Sequence, residues 1–293
     1  GWLSSNCILF QGPHGGTLID SGYHSHAQQT LALVCQQLAG RALQTLINTH
    51  LHSDHCGGNA LLQQQWPSMQ TLVPAGALHA VRRWDEDALS FRVTGQTCQR
   101  FTAHGTLRHG DTLALGGAHW QVHAAAGHDP DMLILFEPLS RTLISADALW
   151  ENGFGVIFPE IEGQQAFAIM AQTLDLIEHL RPAYVIPGHG KPFHDAPAAL
   201  AIARRRLDGF VRNPQRHAQH AAKVLLKFKL LEWQRIARDD LHAWAHQVPY
   251  LQRLRLLTGA PEQQPLSQWL DALLQELVHS QAAHIDAQGW IHN

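Results

Sequence analysis

The stretch Thr49-His50-Leu51-His52-Ser53-Asp54-His55-Cys56-Gly57-Gly58 decides how this chain is read. It holds H-x-H-x-D-H, four side chains able to ligate a metal within six residues. The apolar run Leu46-Ile47-Asn48-Thr49 before it predicts a buried strand, and residues 58–66 after it predict a helix. On an extended turn, His50 and His52 alternate onto one side, while the adjacent Asp54 and His55 face a second point nearby. Imidazole and carboxylate donors in that number suit two borderline divalent metals held side by side. The chain has 22 His among 293 residues. At that abundance the pattern arises by chance in roughly one of 150 such sequences, so it needs support from elsewhere in the chain.

Three downstream positions supply that support. His128 follows Gly127 at the end of a strand-like segment containing Trp120 and Val122. Asp147 ends the run Leu143-Ile144-Ser145-Ala146, and His189 lies in Pro187-Gly188-His189-Gly190, just past the short strand Tyr184-Val185-Ile186-Pro187. Upstream, residues 6–22 read as two short strands around a turn, and the second leads into Asp20-Ser21-Gly22. Helical spacing covers residues 25–40, 76–92 and 164–180, and residues 110–149 are mostly β. Strands and helices mixed in this way imply layered sheets with helices outside, an α/β (α+β) fold. After Pro192 the chain turns helical over 198–211, 218–236 and a Leu-rich stretch from Leu266 to Leu277. In the second of these, Ala221, Val224, Leu225, Phe228 and Leu231 are expected on one buried face. A hairpin around Asp286-Ala287-Gln288-Gly289 then ends the chain, and helices followed by a hairpin suggest a winged-helix-like unit. The expected division is therefore residues 1–195 for a catalytic domain and 196–293 for a helical, winged-helix-like domain.

Composition excludes several classes. With 45% hydrophobic and 15% charged residues the chain is ordinary globular material. It contains no apolar run of eighteen residues that would span a membrane. Gly1 to Asn6 show no basic region followed by an apolar stretch, so no leader is expected. Cys7, Cys35, Cys56 and Cys98 form no C-x-x-C pair, which fits free thiols in a reducing cytoplasm. Charge is uneven: residues 204–258 carry twelve Lys and Arg against four Asp and Glu. No basic residue follows Arg255, and the helix from Leu266 carries Asp271 and Glu276, where a nucleic-acid reader would want cations. Lys223 and Lys227 fit a solvated helical face.

The five motifs together resemble the metallo-β-lactamase superfamily over about residues 6–195: Asp20, then His50 to His55, His128, Asp147 and His189 in order. The resemblance implies an αββα sandwich with metals at one edge of the sheets. It implies one metal on His50, His52 and His128, a second on Asp54, His55 and His189, and Asp147 bridging both. Asp20 is implied to orient a ligand, or the loop, from behind the metals. Two zinc ions are the expected cofactors, with iron or manganese also suited to these donors. Paired metals of this kind hold a water, acidify it, and stabilise an oxyanion, with Asp54 orienting the water or taking a proton.

The superfamily's true β-lactamases carry cysteine or serine near the position of Asp147, whereas an aspartate bridge is similar to glyoxalase II, lactonases and nucleases. The resemblance thus points first to a hydrolase of a small ester, thioester or lactone. The extension after residue 200 is similar to that of the β-lactamase-like protein 2 group, which keeps a metal-dependent (endo)ribonuclease as an alternative. A mononuclear iron persulfide dioxygenase is the third reading. Tyr23, His24, Trp150, Glu151 and Asn152 are expected to line the substrate pocket by their place beside the motifs. A small-molecule substrate, no membrane partner and a homodimer complete the expectations. Asp129, where this family commonly has threonine, finds no explanation in the sequence.

Overall fold

A computed structural model describes residues 3–293; Gly1 and Trp2, the first residues read for a leader, lie outside the described residues. Two five-stranded sheets form the heart of the first unit. One runs β1 (Ile8–Gly12), β2 (Gly15–Ile19), β3 (Leu43–Ile47), β4 (Gln70–Pro74) and β5 (Gly105–Leu107), with β2 to β5 parallel and β1 an antiparallel edge. The other places β6 (Thr112–Leu115), β7 (Ala118–Ala124), β8 (Leu133–Glu137) and β9 (Thr142–Ala146) in an antiparallel meander, and β10 (Tyr184–Pro187) adds parallel to β9.

Side chains alternate across these strands, and in the central ones, such as β2, β8 and β9, both faces are buried. Ile19 and Ile47 point between the sheets, where they pack with Trp120, Val122, Leu133, Leu135 and Ile144. Their neighbours Leu18 and Leu46 point the other way, onto Val34, Leu38 and Leu62. Those partners belong to α1 (Ala27–Leu38) and α3 (Asn59–Gln65), the helices after β2 and β3. Each such side chain removed from water contributes roughly 1.5–3 kcal/mol, so the αββα layering follows from two-sided apolar strands.

The loops at one edge of this sandwich carry the motif residues. The short α2 (Ser53–Cys56) starts just beyond β3, His128 lies in the β7–β8 connection, and Asp147 and His189 follow β9 and β10. Leu133 N–H donates to Thr49 O at 2.8 Å, joining the end of β3 to the start of β8. Nearby, Asn6 N–H donates to Gly188 O at 2.7 Å and Ser5 N–H to Asp54 O at 3.0 Å. A register shift pairs Pro187 with Ala146 at the ends of β10 and β9. Ala146 takes a left-handed φ of 46°, and this irregularity turns Asp147 out of the strand.

The helix expected over 76–92 is instead two short ones, α4 (Leu78–Arg83) and α5 (Phe91–Thr94). Trp84 stops α4 with a left-handed φ of 55°, and Ser90 at φ 65° precedes α5. Between them the Asp85 carboxylate accepts the Ala88 N–H at 3.2 Å, a local bond that competes with helix continuation. Further along lie α6 (Phe158–Ile161), α7 (Ala166–Leu180), which buries Met170, Leu174 and Ile177, and α8 (Ala196–Arg212).

Chain contacts divide the described residues into two compact units, Ser4–Leu89 with Thr97–Asp208, and Ser90–Gln96 with Leu3 and Gly209–Asn293. The division falls inside α8, beyond the residue 195 expected from sequence. The second unit contains α9 (Pro214–Trp233), β11 (Arg235–Ile236), α10 (Arg238–His246), α11 (Pro249–Leu257), α12 (Leu266–His279), β12 (His284–Ile285) and β13 (Ile291–His292). A helix followed by an antiparallel hairpin is the order read from sequence, and β11 pairs with β13 to make a third strand. The buried face of α9 runs through Ala221, Ala222, Leu225, Leu226 and Leu230, rotated from the expected one, with Val224, Phe228 and Leu231 only half-buried. The rotation follows from packing: α11, α12 and β11 all contact α9. Lys229 is buried on this helix because its ammonium lies 4.9 Å and 5.3 Å from the Trp233 and Trp244 rings and pairs with Glu232. Among the described residues no helix is long and apolar enough to cross a membrane.

Candidate metal centre

All seven motif side chains that could donate to a metal meet in the first unit. His50 Nε2 lies 3.1 Å from His52 Nδ1, which lies 2.7 Å from His128 Nε2. Two of the opposite ring nitrogens are committed elsewhere. His50 Nδ1 faces the Thr49 hydroxyl at 3.2 Å, and that hydroxyl donates to Asp20 at 2.8 Å. His128 Nδ1 donates to Val156 O at 2.6 Å. His52 Nε2 lies 3.8 Å from Asp129 Oδ2. Three imidazoles therefore turn their remaining nitrogens toward one another. Burial, with the neighbouring imidazoles, holds the pKa of His50 and of His52 well below the usual histidine value. Burial also lowers that of His128, against the pull of Asp147. Neutral rings with converging lone pairs repel one another unless a cation lies between them.

A second group sits beside the first. Asp54, His55 and His189 bring their ligand atoms within 4.8 Å of one another. His189 Nε2 is 3.0 Å from Asp54 Oδ2. His55 is fully buried; its Nδ1 lies 2.8 Å from Asp20 Oδ2, while its Nε2 has no hydrogen-bond partner. Burial works against a charge on His55, but the carboxylates of Asp147 and Asp20 outweigh it and raise its pKa well above the usual value. Burial likewise opposes ionisation of Asp54, yet the hydrogen bond from His189 and the nearby His55 bring its pKa down. A buried ring nitrogen left unpaired, aimed at carboxylates, is a donor awaiting a metal.

Asp147 touches both groups. Its Oδ1 lies 3.5 Å from His55 Nε2, and its Oδ2 lies 3.4 Å from His128 Nε2 and 3.7 Å from His189 Nε2. Two glycines make room. A Cβ on Gly188 would come within 2.1 Å of Asp147 Oδ1, and one on Gly155 within 2.4 Å of His128 Nδ1. The donor set, all imidazole nitrogen and carboxylate oxygen, fits zinc and equally iron or manganese.

Of the expected pocket residues, Trp150 reaches this centre: its indole N–H donates to Asp147 Oδ1 at 3.2 Å and its ring lies 5.3 Å from that of His189. Glu151 and Asn152 are exposed on the turn that follows. Tyr23 is fully buried, its hydroxyl accepting the Thr97 N–H at 3.2 Å and its ring against His24, which is half-buried in a single 3₁₀ turn. The sequence reading missed Thr49, Val156 and Phe158, whose ring meets His52 and His128 edge-on at 5.0 Å and 5.7 Å. No motif marked them, though all three are near ligands in sequence or follow the Asp147 turn. Asp129 now has an account: it accepts the Asp131 N–H at 2.8 Å and stands behind His52.

Hydroxyacylglutathione hydrolase from Synechococcus sp. (strain ATCC 27144 / PCC 6301 / SAUG 1402/1) is 30% identical, over 53% of this chain and 52% of the relative. The enzyme of that name from Xanthomonas oryzae pv. oryzae is 28% identical over 65% of each. The matched region thus spans about half to two thirds of these relatives' lengths. A metallo-beta-lactamase family protein from Thermus thermophilus shares the fold at a TM-score of 0.53 and 18% identity, covering 98% of this chain and 93% of that one. Residues 1–189 match the sequence profile of the Metallo-beta-lactamase superfamily, and the chain belongs to that superfamily.

Proposed function

We propose that this protein is a dinuclear, zinc-dependent hydrolase of a small ester, thioester or lactone, with a thioester favoured. The observation that carries the reading is Asp147, whose carboxylate lies between the two donor groups, Oδ1 beside His55 and Oδ2 beside both His128 and His189. The thioester preference comes from the relatives, which are hydroxyacylglutathione hydrolases. Two divalent cations bound here would supply a water acidified toward neutral pH and a Lewis acid for the developing oxyanion. The chain's own residues supply the rest. Asp54, beside His189, presents an ionised oxygen that orients the attacking water or accepts its proton. Asp20 and the Val156 carbonyl hold His55 and His128 with one ring nitrogen each turned inward.

A ribonuclease reading finds less support. Several cations of the basic segment are engaged within their own unit: Arg204 with Asp175 and Glu178, Lys223 with Glu276, and Arg238 with Asp271. Arg235 stacks over Trp290 at 4.1 Å.

Elemental analysis of the purified protein, paired with assays on thioesters, single-stranded RNA and a persulfide with oxygen uptake, tests the proposal. The expected result is two zinc ions per chain and thioester turnover that Asp54→Ala abolishes. RNA cleavage with inert thioesters would move the ribonuclease to first place. One iron with oxygen uptake would establish the dioxygenase.

A further inference from the structure

We infer that Trp150 is a positioning residue for the metal centre, and that it supports the Asp54, His55 and His189 position selectively. The inference rests on the two-metal reading above. Trp150 lies three residues beyond Asp147 on a loop that closes on itself. Trp150 N–H donates to Gly153 O at 2.6 Å, and Gly155 N–H donates to Asp147 O at 2.9 Å. That closure brings the indole back over the carboxylate it follows, where its N–H donates to Oδ1 at 3.2 Å. Oδ1 is the oxygen that faces His55, at 3.5 Å, while Oδ2 lies 3.4 Å from His128 and 3.7 Å from His189. The same ring stands nearly perpendicular to that of His189, at 76° and 5.3 Å between centroids.

Oδ1 is thus confined on two sides, by the Gly188 backbone, where a Cβ would come within 2.1 Å, and by the indole donor. Rotation of the carboxylate would carry Oδ1 away from His55, and the indole hydrogen bond opposes that rotation. The three-histidine group has other partners, the Thr49 hydroxyl at His50 and the Val156 carbonyl at His128. Both contacts of Trp150, with Oδ1 beside His55 and with the His189 ring, lie on the side of the Asp54, His55 and His189 group, so loss of the indole N–H loosens that group more than the other. Partners behind a ligand of this kind typically change metal affinity by about 10- to 100-fold.

The test is a zinc titration of metal-free protein against a chromophoric chelator. The unmodified protein is expected to take two ions, and His189→Ala identifies the step belonging to the Asp54, His55 and His189 group. In Trp150→Phe, which keeps a ring and removes the N–H, that step is expected to weaken about 10- to 100-fold while the other stays within about two-fold. Trp150→Leu, a second variant in case the first does not fold, is expected to show the same selectivity. Two unchanged steps, or two steps weakened alike, would overturn the inference while leaving the two-metal reading standing. Uptake of one ion or none by the unmodified protein would overturn that reading, and this inference with it.

Discussion

Asp20 and His55 are joined through a 2.8 Å contact between Oδ2 and the ring Nδ1, and the same oxygen accepts the Thr49 hydroxyl at 2.8 Å. Since that hydroxyl faces His50 Nδ1 at 3.2 Å, one buried carboxylate sets the orientation of a histidine in each donor group. Its other oxygen accepts the Thr49 N–H at 2.8 Å, which ties the carboxylate to the end of β3.

Two substitutions of Asp20 separate these roles. The residue sits at a left-handed φ of 57°, which Asn tolerates far better than Ala. Asp20→Asn keeps an acceptor and loses the charge. It is expected to weaken zinc binding by about 10- to 100-fold with a small change in stability. Asp20→Ala also strands the buried Thr49 N–H and hydroxyl, adding roughly 1–3 kcal/mol of destabilisation for each. Chelator competition and urea unfolding of the metal-free proteins measure the two effects. Equal zinc affinity in Asp20→Asn and the parent would show that Asp20 does not orient the ligands.

Gly188→Ala makes a steric test of the bridging carboxylate. Gly188 does not adopt a positive φ, so alanine suits its backbone, and only the new methyl matters. That methyl would lie 2.1 Å from Asp147 Oδ1 and 3.0 Å from the Ala146 carbonyl. Asp147 must move, and overpacking of this kind costs roughly 1–3 kcal/mol. Zinc stoichiometry is expected to fall below that of the parent, because the displaced carboxylate serves both groups. Full stoichiometry at parental affinity would mean that the carboxylate has freedom the structure does not show.

The metal centre was far more legible in the sequence than the second unit was. Ligand types and their spacing survive in one dimension, so His50 through His55, His128, Asp147 and His189 could be named before any contact was known. What turns each ring could not. Val156 acts through a backbone carbonyl, which no residue type announces, and it reaches His128 across 28 positions. Asp129 is visible as an unusual residue, but its relation to His52 depends on how the β7–β8 connection folds. In the second unit, α10 and α11 went unread because each is only nine residues long and buries few apolar positions, Leu241 with Ala245 and Tyr250, Leu251 with Leu254. The face of α9 was misjudged because three neighbours contact it at once, so its buried stripe is wider than a single-partner pattern predicts.

The second unit offers a pH test that is independent of metal. His217 on α9 is 2% exposed, and its ring lies 5.0 Å from that of Phe210. Burial, and then the nearby His220, lower its pKa to about 4. An unfolded histidine titrates near 6.5. Above that value both states are neutral, and this residue gives no pH dependence. As pH falls from about 6.5 to 4 the unfolded chain takes up the proton first, so stability declines. Below about 4 both states are protonated and the slope ends. At about 1.4 kcal/mol per pH unit, the loss across the window is on the order of 3 kcal/mol. Urea unfolding of metal-free protein at pH 7, 5.5 and 4.5, compared with His217→Gln, isolates this contribution from the other histidines. The variant is expected to lose less stability on acidification than the parent does. Parallel pH profiles would mean that His217 titrates in the folded protein as it does in the unfolded chain, and that its burial does not hold it neutral.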